Sequence, residues 1–89
     1  MPQDAAKAVE WFEKAASRKD LGAVMELGIM FRDGKYLPPD REKAFHWFEN
    51  GAEWKDPYSM AALADMLLEG TPSAEQAARA LALYREAAA

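Results

Sequence analysis

The 89-residue sequence repeats itself with a period of 36 residues. The segment WFEKAA at 11–16 returns as WFENGA at 47–52. Sliding the chain by 36 gives twelve identities over positions 4–34, whereas unrelated sequences would share roughly two there. A third, partial copy occupies 80–88. Periods of this length are typical of arrays in which each unit buries its apolar face against a neighbour, so the sequence predicts about two and a half 36-residue repeats.

Each repeat contains two patterns of an amphipathic helix. In the first, apolar residues fall at 8, 11, 12, 15 and 16, and the second includes Val24, Leu27 and Phe31. Both follow the spacing of a helix with one apolar face. Alanine is abundant and only five glycines and five prolines interrupt the chain, a composition that favours helix. The sequence therefore predicts an all-α fold of five helices in antiparallel pairs, near 4–18, 20–33, 40–54, 56–69 and 73–87.

Capping residues mark the predicted helix ends. An aspartate at the N-cap accepts a hydrogen bond from a free backbone N–H group of the first turn. Ser73 and Gln76 have the spacing of a capping box. Gly34 and Gly70 follow the second helix of each repeat, where a left-handed residue is favoured. The predicted N-cap aspartates are Asp4, Asp20, Asp40 and Asp56.

Bulky aromatic residues recur once per unit at the same positions. We expect Trp11, Phe12, Trp47 and Phe48 to fill the core, because a single helical pair cannot bury its own apolar face. The two tryptophans should then occupy corresponding environments. Trp54 departs from the repeat and leaves two interpretations open, an exposed anchor for a partner or a cover over the end of its helix.

These residues resemble a known repeat. The patterns A-x-x-W-F-x-K-A-A at 8–16, L-G-x-x-F-x-x-G at 27–34 and L-x-x-D-x-x-K at 37–43 are similar to the Sel-one-like repeat (SLR), a relative of the tetratricopeptide repeat. The resemblance covers almost the whole chain and implies one domain over 1–89. It implies a right-handed α/α superhelical solenoid in which the helices with the LG motif line a concave surface. It also implies a non-catalytic protein-interaction scaffold.

The chain departs from the SLR pattern at three turns. Lys19 and Lys55 stand where the family usually has glycine, and Tyr36 replaces a second glycine. A non-glycine residue in a left-handed turn costs about 1 kcal/mol, so we expect these turns to be reshaped. Because the segment after Gly70 lacks the L-x-x-D element, we expect the last helix to begin about three residues earlier than its counterpart.

Charge and composition argue against several classes of partner. The formal net charge is −4, and residues 46–89 hold three basic and seven acidic side chains. A nucleic-acid partner would require a basic stripe, which the sequence lacks. No apolar run approaches the length of a membrane span. We therefore expect a protein or peptide partner, no nucleic acid and no membrane.

Residues for catalysis or cofactor binding are sparse. His46 is the only histidine, and its repeat equivalents are Glu10 and Ala82, so we interpret it as a solvated surface residue. Asp65 and Glu69 lie one helical turn apart, but no third oxygen ligand is spaced to complete a metal site. The chain has no cysteine and no glycine-rich phosphate loop. We expect no catalytic residue, no metal and no cofactor, which leaves a hydrolase as a distant alternative.

The strongest functional signal is a second face on the helices with the LG motif. It is offset from the buried stripe and combines apolar side chains with an arginine and an aspartate, a combination that suits binding of a peptide or helix. The alternative is that the apolar members pack against a neighbouring helix. The candidate partner-binding residues are Met25, Ile29, Arg32, Tyr58, Asp65 and Leu68.

The first and last helices present apolar residues without a further unit to cover them. Two hypotheses follow, a piece of a longer array or an array that associates with a copy of itself through uncapped ends. The second function class is accordingly a structural or self-associating segment of a larger protein. The opening residues carry charges where a signal peptide needs an apolar core, which leaves the compartment open and favours the cytoplasm.

Overall fold

A computed structural model describes residues 2–34 and 37–89 and shows an all-α protein. All five predicted helices form, each within two residues of its expected bounds, and neither described range contains a strand. The last helix begins three residues earlier than its repeat counterpart, as expected. The expectation about Tyr36 lies outside the described residues. The helices are α1 (Pro2–Ser17), α2 (Leu21–Asp33), α3 (Arg41–Glu53), α4 (Pro57–Leu67) and α5 (Ala74–Ala88).

The chain divides into two compact units, Met1–Trp47 and Phe48–Ala89, with the boundary inside α3. In the first unit α1 packs on α2, and in the second α4 packs on α5. Each packed pair is joined by a short connection, three residues in the first unit and six in the second. Short connections between packed helices require antiparallel neighbours, so α1–α2 and α4–α5 are each antiparallel, and the predicted pair of the first repeat, α1 with α2, is confirmed.

The core of the first unit lies between α1 and α2. Val24 and Leu27 are fully buried on α2, in register with the predicted apolar stripe. Phe31, at the end of that stripe, also anchors the chain that enters α3: its carbonyl accepts a hydrogen bond from the Asp40 N–H at 2.8 Å. The Lys43 ammonium lies 5.2 Å from the centre of the Phe31 ring, a cation–π contact.

The core of the second unit is centred on Phe48, which is completely buried. The Tyr58 ring lies beside it, with the two ring centres 6.4 Å apart. Leu63 and Met66 of α4 and Ala80 of α5 complete this buried layer. An aromatic residue of one helix is thus covered by an aromatic residue of the next helix in the chain.

The prediction that all four aromatic residues are core residues is wrong for Trp11. Its side chain is 76% exposed, whereas Trp47 and Phe12 are half-buried and only Phe48 is fully buried. The two tryptophans therefore do not share one environment. The reason is local: an open space lies beside the Trp11 indole of α1, and Gly22 and Met25 of α2 line the same space.

The turns at Lys19 and Lys55 are not reshaped, which corrects the expectation. Both lysines adopt a left-handed backbone with φ of 63°. In the first turn the Asp20 N–H donates to the Ala15 carbonyl and the Lys19 N–H donates to the Ala16 carbonyl. This is the Schellman pattern that usually ends on glycine. Asp56 and Lys55 donate to Gly51 and Ala52 in the same way, so both repeats keep the glycine geometry without the glycine.

Three predicted N-caps and the capping box are present. The carboxylates of Asp20, Asp40 and Asp56 each accept from a backbone N–H three residues ahead, and Ser73 and Gln76 bond reciprocally. Asp4 is not a cap, because α1 already begins at Pro2. Gly34 caps α2 with φ of 73°, whereas α4 ends at Leu67 before it reaches Gly70, so only the first of the two predicted glycine caps ends its helix.

The left-handed lysines predict an unusual stabilising substitution. Lys55→Gly should raise the free energy of unfolding by up to about 1 kcal/mol, because glycine carries no steric cost at this φ. For a chain of this size 1 kcal/mol corresponds to a rise in Tm of about 4–8 °C. Thermal unfolding followed by circular dichroism measures the change.

Lys55→Ala is the matched control. The Lys55 ammonium also pairs with the Glu86 carboxylate at 3.3 Å, but both side chains are mostly exposed, so the pair contributes little. Alanine removes the same ion pair and keeps the steric cost. A Tm for Lys55→Gly that is no higher than that of Lys55→Ala would contradict the strain argument.

Candidate functional site

The candidate face on α2 is partly open to solvent. Met25 and Ile29 are half-buried, which leaves part of each apolar side chain accessible. Arg32 follows one turn later, and its guanidinium donates two hydrogen bonds to the Asp33 carboxylate, at 2.9 and 3.3 Å. These bonds lower the pKa of Asp33. The α2 face therefore combines an apolar patch with an arginine that is already oriented by a neighbour.

The candidate face on α4 is more exposed. Tyr58 is 42% exposed and Leu68, which caps the helix, is 40% exposed. Asp65 lies between them and accepts a hydrogen bond from the Tyr84 hydroxyl of α5. This bond raises the pKa of Tyr84. The carboxylate is thus held in place by a contact that the sequence pattern did not indicate.

The six predicted site residues divide equally between the two units. Three of them lie on α2 in the first unit, and in the second unit two lie on α4 and Leu68 caps that helix. Within each helix the members are spaced three, four or seven residues apart, which places them on one side. Every one of the six is at least partly accessible.

A groove between α1 and α2 is a feature that the sequence analysis missed. It has a volume of about 440 Å³ and lies beside the exposed Trp11 indole. Met25 is its only member among the six predicted residues. The signal that could have found it is Gly22, which stands where the second repeat has Tyr58. The groove is lined by Trp11, Phe12, Ala15, Asp20, Gly22, Ala23, Met25 and Glu26.

Comparison with known families agrees with the repeat structure. The model of the Sel1 repeat matches residues 1–20, 22–53 and 57–89, which correspond to α1, to α2 with α3, and to α4 with α5. The chain belongs to the Sel1-repeat family. Neither the search of curated proteins nor that of solved structures found a match. Sel1 repeats are generally non-catalytic modules of protein–protein interaction.

In the second unit of this Sel1 chain, Phe48–Ala89, ion pairs engage two of the three basic residues, Lys55 and Arg79. The Arg79 guanidinium donates to both oxygens of the Glu49 carboxylate, at 2.6 and 3.1 Å. This bidentate contact raises the pKa of Arg79. Lys55 pairs with Glu86 in the same unit. The remaining carboxylates give this unit an acidic surface.

The structure also places the remaining residues singled out from the sequence of this Sel1 chain, His46 and Trp54. His46 is exposed, and its ring contacts the edge of Trp47 with 5.2 Å between the ring centres. Across 2–34 and 37–89, no cluster of three His, Cys, Asp or Glu side chains could hold a metal ion. Nor does any helix within these ranges have the length and hydropathy to span a membrane. Trp54 is half-buried in the turn after α3.

Proposed function

We propose that this Sel1-repeat chain is a scaffold or adaptor that binds a peptide or protein segment through the exposed faces of α2 and α4. One observation carries the proposal: α4 buries one side completely and still exposes two large apolar side chains on another. Leu63 and Met66 lie in the core, while Tyr58 and Leu68 are accessible. Exposed apolar side chains grouped on one element are typical of a protein-interaction surface.

The charged members of the two faces support a specific contact. Arg32 on α2 and Asp65 on α4 are each oriented by a neighbouring side chain, Asp33 and Tyr84 respectively. Oriented charges at the rim of an apolar patch favour one partner over others more than they raise affinity. The partner should therefore present apolar side chains flanked by charges of both signs.

A self-associating segment is the second candidate function, and a different surface favours it. Leu81 of α5 is 57% exposed, and it belongs to neither candidate face. Light scattering over a range of protein concentrations tests this alternative. A monomer at high concentration excludes it, and a concentration-dependent dimer that Leu81→Asp disrupts supports it.

Two substitutions test the scaffold. Ile29→Asp on α2 and Leu68→Asp on α4 should each abolish capture of partners from an extract of the source cells, because a carboxylate in an apolar contact stays desolvated and unpaired. Affinity purification with quantitative mass spectrometry compares each variant with the parent protein. Circular dichroism checks that the helices persist.

Leu81→Asp is the matched control, since it places the same charge on an exposed leucine outside both faces. Partners lost with Ile29→Asp and Leu68→Asp but retained with Leu81→Asp would support the proposal. Partners that survive both face substitutions, or that are lost only with Leu81→Asp, would contradict it.

A further inference from the structure

The two units differ at the residue that packs against the repeated phenylalanine of the preceding helix. Position 58 in the second unit is a tyrosine whose ring lies 6.4 Å from that of Phe48, and Phe48 is fully buried. The equivalent of Tyr58 in the first unit is Gly22, and the equivalent of Phe48 is Phe12, which is only half-buried. The first unit therefore lacks the aromatic ring that the second unit carries.

The space beside Gly22, where the second unit has the Tyr58 side chain, is open. A Cβ atom built on Gly22 would meet only the Asp20 side chain, at 3.3 Å, and no other group within 4 Å. The groove of about 440 Å³ adjoins Gly22 and is lined also by Trp11, Phe12 and Met25. Its volume lies at the lower end of the range for sites that take small ligands. The groove is thus large enough for an aromatic side chain.

Charge restricts the occupant further. The two ionisable residues that line the groove, Asp20 and Glu26, are both acidic. The basic residues nearby, Lys14 and Arg18, line a separate depression that shares Trp11 and Ala15 with the groove. A cation beside the groove would be attracted by both carboxylates and could also contact the face of the exposed indole.

We propose that the groove between α1 and α2 takes one aromatic side chain of a partner segment in which a lysine or arginine adjoins that aromatic residue. The aromatic ring occupies the place that Tyr58 occupies in the second unit, and the cation faces Asp20 and Glu26. This inference rests on the proposed function, because the groove lies at the N-terminal end of the α2 face. It adds the chemical class of the bound segment.

The test uses the peptide acetyl-Ala-Lys-Phe-Lys-Ala-amide as a probe of the full chain. NMR spectra follow the Trp11 indole N–H, assigned with Trp11→Phe, and the Met25 methyl group. Both signals should shift saturably at about millimolar peptide, the affinity expected for a single side-chain contact. A peptide with alanine in place of phenylalanine, and one with glutamates in place of lysines, should each bind about ten-fold more weakly or not at all.

Gly22→Tyr is the decisive variant, since it installs the ring that the second unit already accommodates. It should bury Phe12, raise Tm and abolish the shift of the Met25 signal, while Leu81→Tyr, which adds the same ring to an exposed position outside the groove, should keep the binding. If Gly22→Tyr does not fold, the positions of the shifted signals in the parent protein still decide the outcome. Shifts confined to residues outside the groove, or equal shifts with all three peptides, would overturn the proposal.

Two further outcomes separate this inference from other occupants and from the scaffold itself. A Trp11 signal that shifts with protein concentration alone and does not respond to peptide would identify a second copy as the occupant and overturn the proposal. Partner capture that is lost with Ile29→Asp but unchanged with Gly22→Tyr would leave the scaffold standing and refute the aromatic groove.

Discussion

Phe48→Ala should lower the free energy of unfolding by about 3–5 kcal/mol, the usual cost of removing a fully buried phenylalanine. The loss has two sources, the transfer energy of the ring and the cavity left beside Tyr58, whose ring loses its partner. Because domains are stable by only about 5–15 kcal/mol, this change removes much of the margin. Urea denaturation followed by circular dichroism measures the cost.

Phe12→Ala is the repeat-equivalent control. Its side chain is half-buried and lines the open groove, so its removal should cost clearly less than that of Phe48. Both substitutions remove a phenylalanine from the same repeat position. The two sites differ in whether an aromatic side chain of the next helix covers that phenylalanine. Equal costs at the two positions would show that the missing ring at Gly22 has no energetic consequence.

Asp56→Ala should cost about 2–4 kcal/mol, far more than loss of an ordinary cap. The Asp56 carboxylate accepts from the Ser59 N–H at 3.0 Å and from the Ser59 hydroxyl at 2.6 Å. Ser59 is completely buried. Its hydroxyl therefore loses its acceptor at the same time as α4 loses its N-cap. Urea denaturation measures the cost here as well.

The repeat again supplies the control. Asp20 caps α2 through the Ala23 N–H at 3.3 Å, and Ala23 has no hydroxyl to satisfy. Asp20→Ala should therefore cost only about 1 kcal/mol, the value of a typical cap. In a Ser59→Ala background, the free-energy cost of Asp56→Ala should fall to a similar value. An Asp56→Ala cost that is unchanged by Ser59→Ala would refute the coupling of cap and buried hydroxyl.

Features that depend on local sequence were predicted well. Helix bounds follow from apolar spacing and from caps such as Asp20 and Asp56, which act within three residues of themselves. The fold class follows from the 36-residue period, which the Sel1-repeat match confirms. These signals are carried by neighbouring residues and require no knowledge of what packs above them.

Features that depend on contacts across helices were missed. The exposure of Trp11 could not be predicted from its repeat position, because Trp47 at the equivalent position is half-buried. The bond between Asp65 and Tyr84 joins residues 19 positions apart on different helices, and no periodic pattern encodes it. Lys19 was misjudged because two backbone hydrogen bonds across the turn outweigh the cost of its left-handed backbone.

The chain emerges as a Sel1-repeat module whose repeated helical pattern carries different surface chemistry in its two units. The second unit covers its aromatic core with Tyr58 and carries an acidic exterior, whereas the first leaves a groove beside Trp11. The repeat keeps the fold constant while single positions such as Gly22 vary. Function in such a module is therefore expected to reside in the positions where the repeats differ.

Site-specific crosslinking tests the central claim most directly. A photoreactive phenylalanine analogue is placed at position 29 on α2, at position 68 on α4 and, as a control, at position 81 on α5. If the faces of α2 and α4 hold the partner, the same partner protein should crosslink at 29 and 68 and not at 81. Crosslinks that form at 81 alone, or equally at all three positions, would contradict the assignment of the binding surface.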